Sequence, residues 1–328
     1  MGMGVSAPPK PAGLGCLDKI EAGKDKVQAV SGKLSASGLR PGVCAPMFAR
    51  FKKLDDFLRA DAMGLLVPLI TTTVSGLYTS LWGAFKDSPY EGFKGKTFPR
   101  SIYFNVAIFL PIYFIPYFRA HFQQLGLVQI FFLIMGIERF LAELYKGFFR
   151  TEDQGKYFVP SRITFFGKFV TSDLLRYTAG IALVALVFAL LLLQVSIESF
   201  WAFVLVAYLA GLLVALGGAY KDAPFEGFKI LKFQRSAAVL VLFSPLFYYL
   251  NDPEAPVALG FLIYMNGGLE RFAVEYYKTY IQRNISGKFS PDLQRIPEEL
   301  ARREKYHYGA LVIIAGLAYL CIHEIRAL

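Results

Sequence analysis

The chain is divided into apolar blocks of roughly 15–25 residues, the length at which a helix crosses the hydrocarbon layer of a bilayer. Of its 328 residues, 55% are apolar and 18% are charged, whereas soluble domains contain about 25% charged residues. This composition excludes a soluble domain, and its hydrophobicity excludes a disordered chain. It predicts an all-α, polytopic, multi-pass integral membrane protein. The net charge of +10 is then expected to face anionic lipid headgroups, and we predict no nucleic-acid partner.

The apolar blocks predict about eight membrane spans. Their approximate bounds are 62–85, 101–118, 125–147, 175–193, 199–220, 236–250, 258–280 and 308–325. Residues 1–60 precede them as a basic tail rich in Gly, Ala, Ser and Pro, with an amphipathic surface helix expected near 48–59. The tail opens with a Met-Gly-x-x-x-Ser pattern that matches a myristoylation signal at Gly2 or occurs by chance.

An internal repeat organises these spans. Gly83–Ser101 reads GAFKDSPYEGFKGKTFPRS and Gly218–Ser236 reads GAYKDAPFEGFKILKFQRS, with 12 of 19 positions identical at an offset of 135. Gly136–Lys146 (GIERFLAELYK) and Gly268–Lys278 (GLERFAVEYYK) share 7 of 11 positions at an offset of 132. The repeat predicts two four-helix halves, 62–193 and 199–328.

The even number of spans in each half has a geometric consequence. The second half must enter the membrane in the same direction as the first, so we expect parallel repeats related by a pseudo-two-fold axis along the membrane normal. Both repeated motifs then face one leaflet, which we call side X, the face reached at the end of the first span. Segments assigned to side X hold 23 of the 35 Lys and Arg residues. This predicts a cytoplasmic side X, whereas the basic tail argues for the opposite orientation.

Charged residues fall inside the third and seventh spans. Glu138 lies twelve residues after Gly126, about 18 Å along a helix and within a hydrocarbon layer of about 30 Å. Charges at that depth are candidates for an ion or substrate pathway, here Glu138, Arg139, Glu143, Glu270, Arg271 and Glu275. Arg139 and Glu143 are four residues apart, as are Arg271 and Glu275, so local pairing is geometrically available.

Local pairing would leave Glu138 and Glu270 in need of other cations. The natural partners are the basic residues of the first repeated motif, which are also candidates for binding a phosphate or lipid headgroup: Lys86, Arg100, Lys221 and Arg235. A purely structural role remains an alternative, in which the same charges close each four-helix half. Pro89 and Pro224 are expected to stop helix continuation, and Gly92 and Gly227 permit a tight turn.

No cysteine or histidine spacing indicates a metal site, and no phosphate-binding loop or nucleophile elbow is present. We therefore predict no metal and no cofactor.

The stretch Gly136-Ile137-Glu138-Arg139-Phe140-Leu141-Ala142-Glu143 resembles the Arg-Phe-x-x-Glu stretch of the prolipoprotein diacylglyceryl transferases, which are membrane enzymes. Phe98-Pro99-Arg100-Ser101 is similar to the Pro-Arg-x-Pro stretch that precedes the same helix there. The resemblance covers about 50 residues in each half, and the family's His-Gly-Gly motif is absent. It implies a site that faces an anionic lipid.

Three functions follow as hypotheses. The first is transport of a small ion or anionic solute. The second is a lipid-headgroup-modifying enzyme, in which Glu143 or Glu275 would be the general base; whether the chain is an enzyme stays open. The third is a structural subunit that contacts other membrane subunits through its tail.

Overall fold

The structure is a computed structural model, and it describes residues 45–151, 162–165, 168–252, 254–283 and 297–327. The chain divides into two compact units, residues 1–63 and residues 64–328. Residues 1–44 of the predicted tail, including Gly2, lie outside the described residues. The predicted surface helix near 48–59 falls within the first helix, with its backbone alone described.

The described chain is almost entirely helical, which confirms the predicted fold class in its coarse form. In chain order the helices are α1 (Ala45–Glu91), α2 (Arg100–Phe114), α3 (Pro116–Phe122), α4 (Leu127–Leu144), α5 (Asp173–Leu191), α6 (Phe200–Glu226), α7 (Ile230–Phe243), α8 (Pro245–Tyr249), α9 (Leu259–Tyr276), α10 (Pro297–Arg302) and α11 (Glu304–Ala327). One π-helical turn follows α4 at Tyr145–Phe149 and another follows α9 at Tyr277–Ile281. Strands β1 (Thr164–Phe165) and β2 (Lys168–Phe169) form a small antiparallel hairpin.

Five described helices are long and apolar enough to cross a membrane, as expected of a multi-pass membrane protein. They are Gly64–Pro89, Asp173–Leu191, Phe200–Tyr220, Ile230–Tyr249 and Leu300–Arg326. A sixth candidate is the pair α2 and α3, which is bent by 103°. The predicted third and seventh spans, α4 and α9, have 18 residues each, and both carry several charges. The count of eight spans therefore stays a prediction.

The bend between α2 and α3 differs from the single straight span expected at 101–118. Ile115 is extended (φ −78°, ψ 117°), and Pro116 begins α3. A proline disfavours the helical conformation in the residue before it, and it cannot donate a backbone hydrogen bond. Pro111, by contrast, lies within α2.

Helices α4 and α9 form the centre of the described fold. Every residue from Val128 to Glu138 is buried, and most residues from Gly260 to Glu270 are buried too. The two backbones touch where a glycine stands on each helix. A Cβ at Gly136 would collide with the carbonyl oxygen of Tyr264, and a Cβ at Gly268 would collide with that of Phe132. Small residues allow this kind of backbone contact between membrane helices.

A similar order of helices occurs twice, from α1 to α5 and again from α6 to α11, but the strand pair precedes α5 and the short helix α10 precedes α11. Gly76 of α1 packs on the backbone of Ile102, and Gly211 of α6 packs in the same way on that of Ala237. Both pairs keep the offset of 135 found in the sequence.

Glycines with positive φ end both long helices, and the expected stop at proline is wrong. Helix α1 continues past Pro89 to Glu91, and α6 continues past Pro224 to Glu226. Gly92 follows with φ +70°, and Gly227 follows with φ +75°. The backbone N–H of Gly92 donates to the Ser88 carbonyl at 2.9 Å. A left-handed glycine is a common helix C-terminus because it pays no Cβ penalty.

The start of α9 is completed by the chain that follows α5, and the start of α4 by α11. The N–H groups of Leu259 and Gly260 donate to the carbonyls of Val195 (2.8 Å) and Leu193 (2.9 Å), which follow α5. On the other side, the N–H of Leu127 donates to the Glu324 carboxylate of α11 at 2.6 Å. The first N–H groups of a helix have no partner within the helix, and these contacts satisfy them.

Candidate functional site

Two buried ion pairs cross between the central helices. Arg139 of α4 donates to Oε2 of Glu270 on α9, and Arg271 of α9 donates to Oε2 of Glu138 on α4. Each pair therefore joins a carboxylate of one helix to a guanidinium of the other. Because both pairs lie past the glycine contact in the C-terminal half of each helix, α4 and α9 run side by side in the same direction.

The four side chains are largely shielded from solvent. The side chains of Glu138 and Glu270 are 5% and 2% exposed, and those of Arg271 and Arg139 are 11% and 22% exposed. A charge buried at this level is destabilising unless it is paired and hydrogen-bonded. The crossed arrangement gives each charge an opposite partner, so the group as a whole is neutral.

The short ion pairs of the two arginines cross between the helices. Arg139 reaches to Glu270, and Arg271 reaches to Glu138. The close glycine contact is the physical reason, because it brings the facing charges within reach. The prediction that Lys86, Arg100, Lys221 or Arg235 would neutralise Glu138 and Glu270 is corrected by the same finding.

Glu143 and Glu275 have local partners that lie on the next turn. Lys146 Nζ is 2.7 Å from Glu143 Oε1, and Lys278 Nζ is 3.5 Å from Glu275 Oε1. The Glu143 side chain is 45% exposed, so this pair lies at the outer end of the site. Ion pairs with this exposure contribute about 0–1 kcal/mol to stability.

An aromatic face supports Arg271. Its guanidinium lies 5.5 Å from the ring centre of Trp82 on α1, and the ammonium of Lys86 lies 5.0 Å from the same ring. Trp82 Nε1 donates to Thr279 Oγ1 at 2.6 Å. Lys86 and Arg271 are also among the cations that act on the Glu275 carboxylate. Lys86 therefore lies next to the crossed pairs, over the same ring as Arg271.

The surroundings of the Arg139–Glu270 pair differ from those of the Arg271–Glu138 pair. Ser236 of α7 donates to Glu270 Oε1 at 2.6 Å, so both carboxylate oxygens of Glu270 accept a hydrogen bond. Arg235 precedes Ser236 and is half-buried. Arg100, its counterpart in the first half, is exposed at the start of α2. The side chain of Lys221 lies outside what the structure describes.

The site offers ion and hydrogen-bond chemistry. Within the described ranges, no group of three or more His, Cys, Asp or Glu side chains is arranged to hold a metal ion. The guanidinium groups could bind an anion and the carboxylates a cation or a proton, provided the existing pairs open.

Sequence reasoning missed several polar side chains on α1 and α2. Four of them are buried: Thr72, Ser75 and Tyr78 on the turns of α1 that precede Trp82, and Asn105 on α2. The signal was present in the repeat, at positions where the halves differ: Ala207, Ala210, Leu213 and Leu240 stand at the equivalent places of the second half.

No protein-family model, curated protein or solved structure matches this chain.

Proposed function

We propose that this chain is a multi-pass membrane transport protein for a small ion or anionic solute, and that the crossed ion pairs are its transport site. The observation that carries the proposal is the burial of Glu138, Arg139, Glu270 and Arg271 between the two central helices. Charged residues within a membrane protein usually face a pathway or a partner and mark the functional site.

The proposed architecture is a pair of parallel four-helix repeats around a pseudo-two-fold axis between α4 and α9. The repeated order of elements, the paired glycine contacts and the reciprocal ion pairs support it. In this arrangement the site lies at the interface of the halves. Membrane transporters commonly bind their substrates at the interface between repeats.

A static clamp would explain the crossed pairs less well. Well-packed apolar residues of similar volume often stabilise a protein as much as a buried ion pair, or more. Charges that can exchange partners can bind a passing ion, whereas an apolar contact cannot. A passing cation or proton competes with Arg271 for Glu138, and a passing anion competes with Glu138 for Arg271.

The proposal is tested by flux into liposomes that contain the purified full chain. The probe ions are protons, sodium, chloride and phosphate, each measured against protein-free liposomes. Replacing Glu138→Gln together with Glu270→Gln removes both negative charges but retains the shape and an oxygen that accepts from arginine. We expect the flux seen with the unaltered protein to fall at least tenfold, while the variant still elutes as a single species in detergent.

The matched control is Glu143→Gln. It makes the same chemical change on α4, outside the crossed pairs, and should keep more than half of the flux. The proposal is overturned if the unaltered chain passes none of the four ions, or if the Glu138 and Glu270 variant keeps normal flux.

A further inference from the structure

A row of buried polar side chains runs along one face of α1. Thr72, Ser75 and Thr79 follow at intervals of three and four residues, which places them on the same side of a helix. Asn105 of α2 packs against this row, donating from Nδ2 to Ser75 Oγ at 3.3 Å. Thr72, Ser75 and Asn105 have no exposed surface, and Thr79 is 5% exposed.

The row has hydrogen-bonding capacity that its neighbours do not use. Ser75 donates to the Phe131 carbonyl of α4 at 3.1 Å. Among the described residues, by contrast, Thr72 Oγ1, Asn105 Oδ1 and the Tyr78 hydroxyl make no hydrogen bond, although all three are buried. A buried polar group without a partner costs about 1–3 kcal/mol.

The second half shows that helix packing does not require these polar groups. The equivalent pairs at an offset of 135 are Thr72 and Ala207, Ser75 and Ala210, Ser80 and Ala215, and Asn105 and Leu240. All eight side chains are buried. Helix α6 therefore packs with alanine where α1 uses hydroxyl groups, and α7 packs with leucine where α2 uses an amide.

The row extends from the start of the membrane-crossing segment of α1, at Gly64, to the crossed ion pairs. At the starting end, the buried Tyr113 hydroxyl is also unpartnered among the described residues, and it lies close to Gly64. At the other end, Trp82 lies under Arg271. Eighteen residues separate Gly64 from Trp82, or about 27 Å of helix, which is close to the thickness of the hydrocarbon layer.

The two carboxylates at the site are not equivalent. Glu270 accepts one hydrogen bond on each oxygen, from Ser236 and from Arg139. Within the described residues, the hydrogen bond to Glu138 comes from Arg271 and uses Oε2. Oε1 of Glu138 can therefore accept a proton without displacing a partner, whereas neither oxygen of Glu270 can.

We propose that the first half alone contains a hydrated path, formed by Thr72, Ser75, Asn105, Tyr78 and Thr79, that carries protons to Glu138. The inference rests on the proposed transport function and identifies the transported ion as the proton. Hydroxyl and amide groups can both donate and accept hydrogen bonds and carry no charge, so they order water along which a proton passes. The Arg139–Glu270 pair then remains closed and holds the halves together.

The proton step is a transfer between oxygens. A hydronium ion gives its proton to Glu138 Oε1 and becomes water, and the carboxylate becomes a neutral acid. Arg271 keeps its charge and loses its counter-ion, while Glu275 remains as a nearby anion. When Glu138 releases the proton to water on side X, the Glu138–Arg271 pair forms again.

The first experiment measures where water enters, and it does not depend on transport. Single cysteines replace Thr72 or Asn105, and their controls replace Ala207 or Leu240, in a full chain whose native cysteines are serine. A hydrophilic methanethiosulfonate reagent reacts with the thiolate, which forms where water reaches the thiol. We expect Thr72→Cys and Asn105→Cys to react at least tenfold faster than Ala207→Cys and Leu240→Cys. Equal rates in the two halves would overturn the proposal.

The second experiment measures proton flux in liposomes. The double variant Thr72→Ala with Asn105→Leu places in the first half the residue types found at the equivalent positions of the second half, Ala207 and Leu240. It should reduce proton flux at least tenfold. Ala207→Ser is the control and should leave the flux unchanged. Glu138→Gln alone should abolish proton flux, whereas Glu270→Gln alone should retain most of it.

The outcomes separate this inference from the proposed function. Flux of chloride, phosphate or sodium without proton flux overturns the proton path but leaves transport standing. Equal losses in Glu138→Gln and Glu270→Gln overturn the asymmetry in the same way. If none of the ions passes, both proposals fail, even when the cysteine labelling differs between the halves.

Discussion

Arg139 forms its ion pair with Glu270 on the neighbouring helix, although Glu143 stands one turn away on its own helix. Gly136 and Gly268 make this possible because they allow the backbones of α4 and α9 to touch. The reciprocal pair, Arg271 with Glu138, repeats the relationship in the opposite direction. The central helices are thus joined by charge as well as by packing.

Replacing Glu270→Ala should strongly destabilise the protein. The change leaves the Arg139 guanidinium and the Ser236 hydroxyl without their acceptor, and breaking one side of a buried pair costs about 3–5 kcal/mol. Glu143→Ala is the control, since its pair with Lys146 is about half exposed and is worth about 0–1 kcal/mol. Unfolding in detergent, followed by circular dichroism, measures both. Equal destabilisation by the two changes would contradict a buried pair at Glu270.

Exchanging the charges of one pair should recover part of the lost stability. Glu138→Arg alone would place two guanidinium groups together, and Arg271→Glu alone would place two carboxylates together. The double variant restores an opposite pair, and we expect a coupling free energy of about 1–3 kcal/mol from a double-mutant cycle. A coupling free energy near zero would show that the two side chains do not interact.

Gly136→Ala should disrupt the contact between the central helices. The added methyl group would meet the Tyr264 carbonyl, and overpacking a close contact typically costs about 1–3 kcal/mol. Gly217→Ala is the matched control, because a Cβ there has no neighbour within 4 Å. We expect a lower unfolding temperature for Gly136→Ala and an unchanged or higher one for Gly217→Ala. The prediction fails if Gly136→Ala unfolds at the normal temperature.

The four candidate headgroup-binding residues of the first repeated motif should bind anionic lipid more strongly than the other lysines of that motif. Replacing Lys86, Arg100, Lys221 and Arg235 with glutamine should lower the amount of phosphatidylglycerol that remains bound after purification, as measured by native mass spectrometry. The control replaces the same number of nearby lysines with glutamine, namely Lys94, Lys96, Lys229 and Lys232. If both variants lose lipid equally, the attraction is a general effect of positive charge near the membrane surface.

The sequence was sufficient to predict the local features of this fold. Long apolar blocks predicted the membrane-crossing segments that begin near Gly64, Asp173 and Phe200. The repeat predicted that Glu138 and Glu270 would occupy equivalent places. These features depend on composition and spacing along the chain, which a single sequence contains.

The sequence was insufficient where the outcome depends on contacts between distant helices. Arg139 has Glu143 within reach along its own helix, and only the glycine contact with α9 shows that Glu270 is reachable too. The bend at Ile115 is a similar case, since Pro111 lies within α2 while Pro116 starts a new helix. Whether a proline is tolerated depends on the groups around it.

The contacts at the starts of the central helices bear on whether the two repeated segments can fold separately. Carbonyl groups after α5 accept hydrogen bonds from the first N–H groups of α9, and the Glu324 carboxylate of α11 accepts one from Leu127 of α4. Either segment on its own would lack these acceptors, as well as the opposite charges for its glutamate and arginine. Each segment therefore depends on the other to complete its central helix.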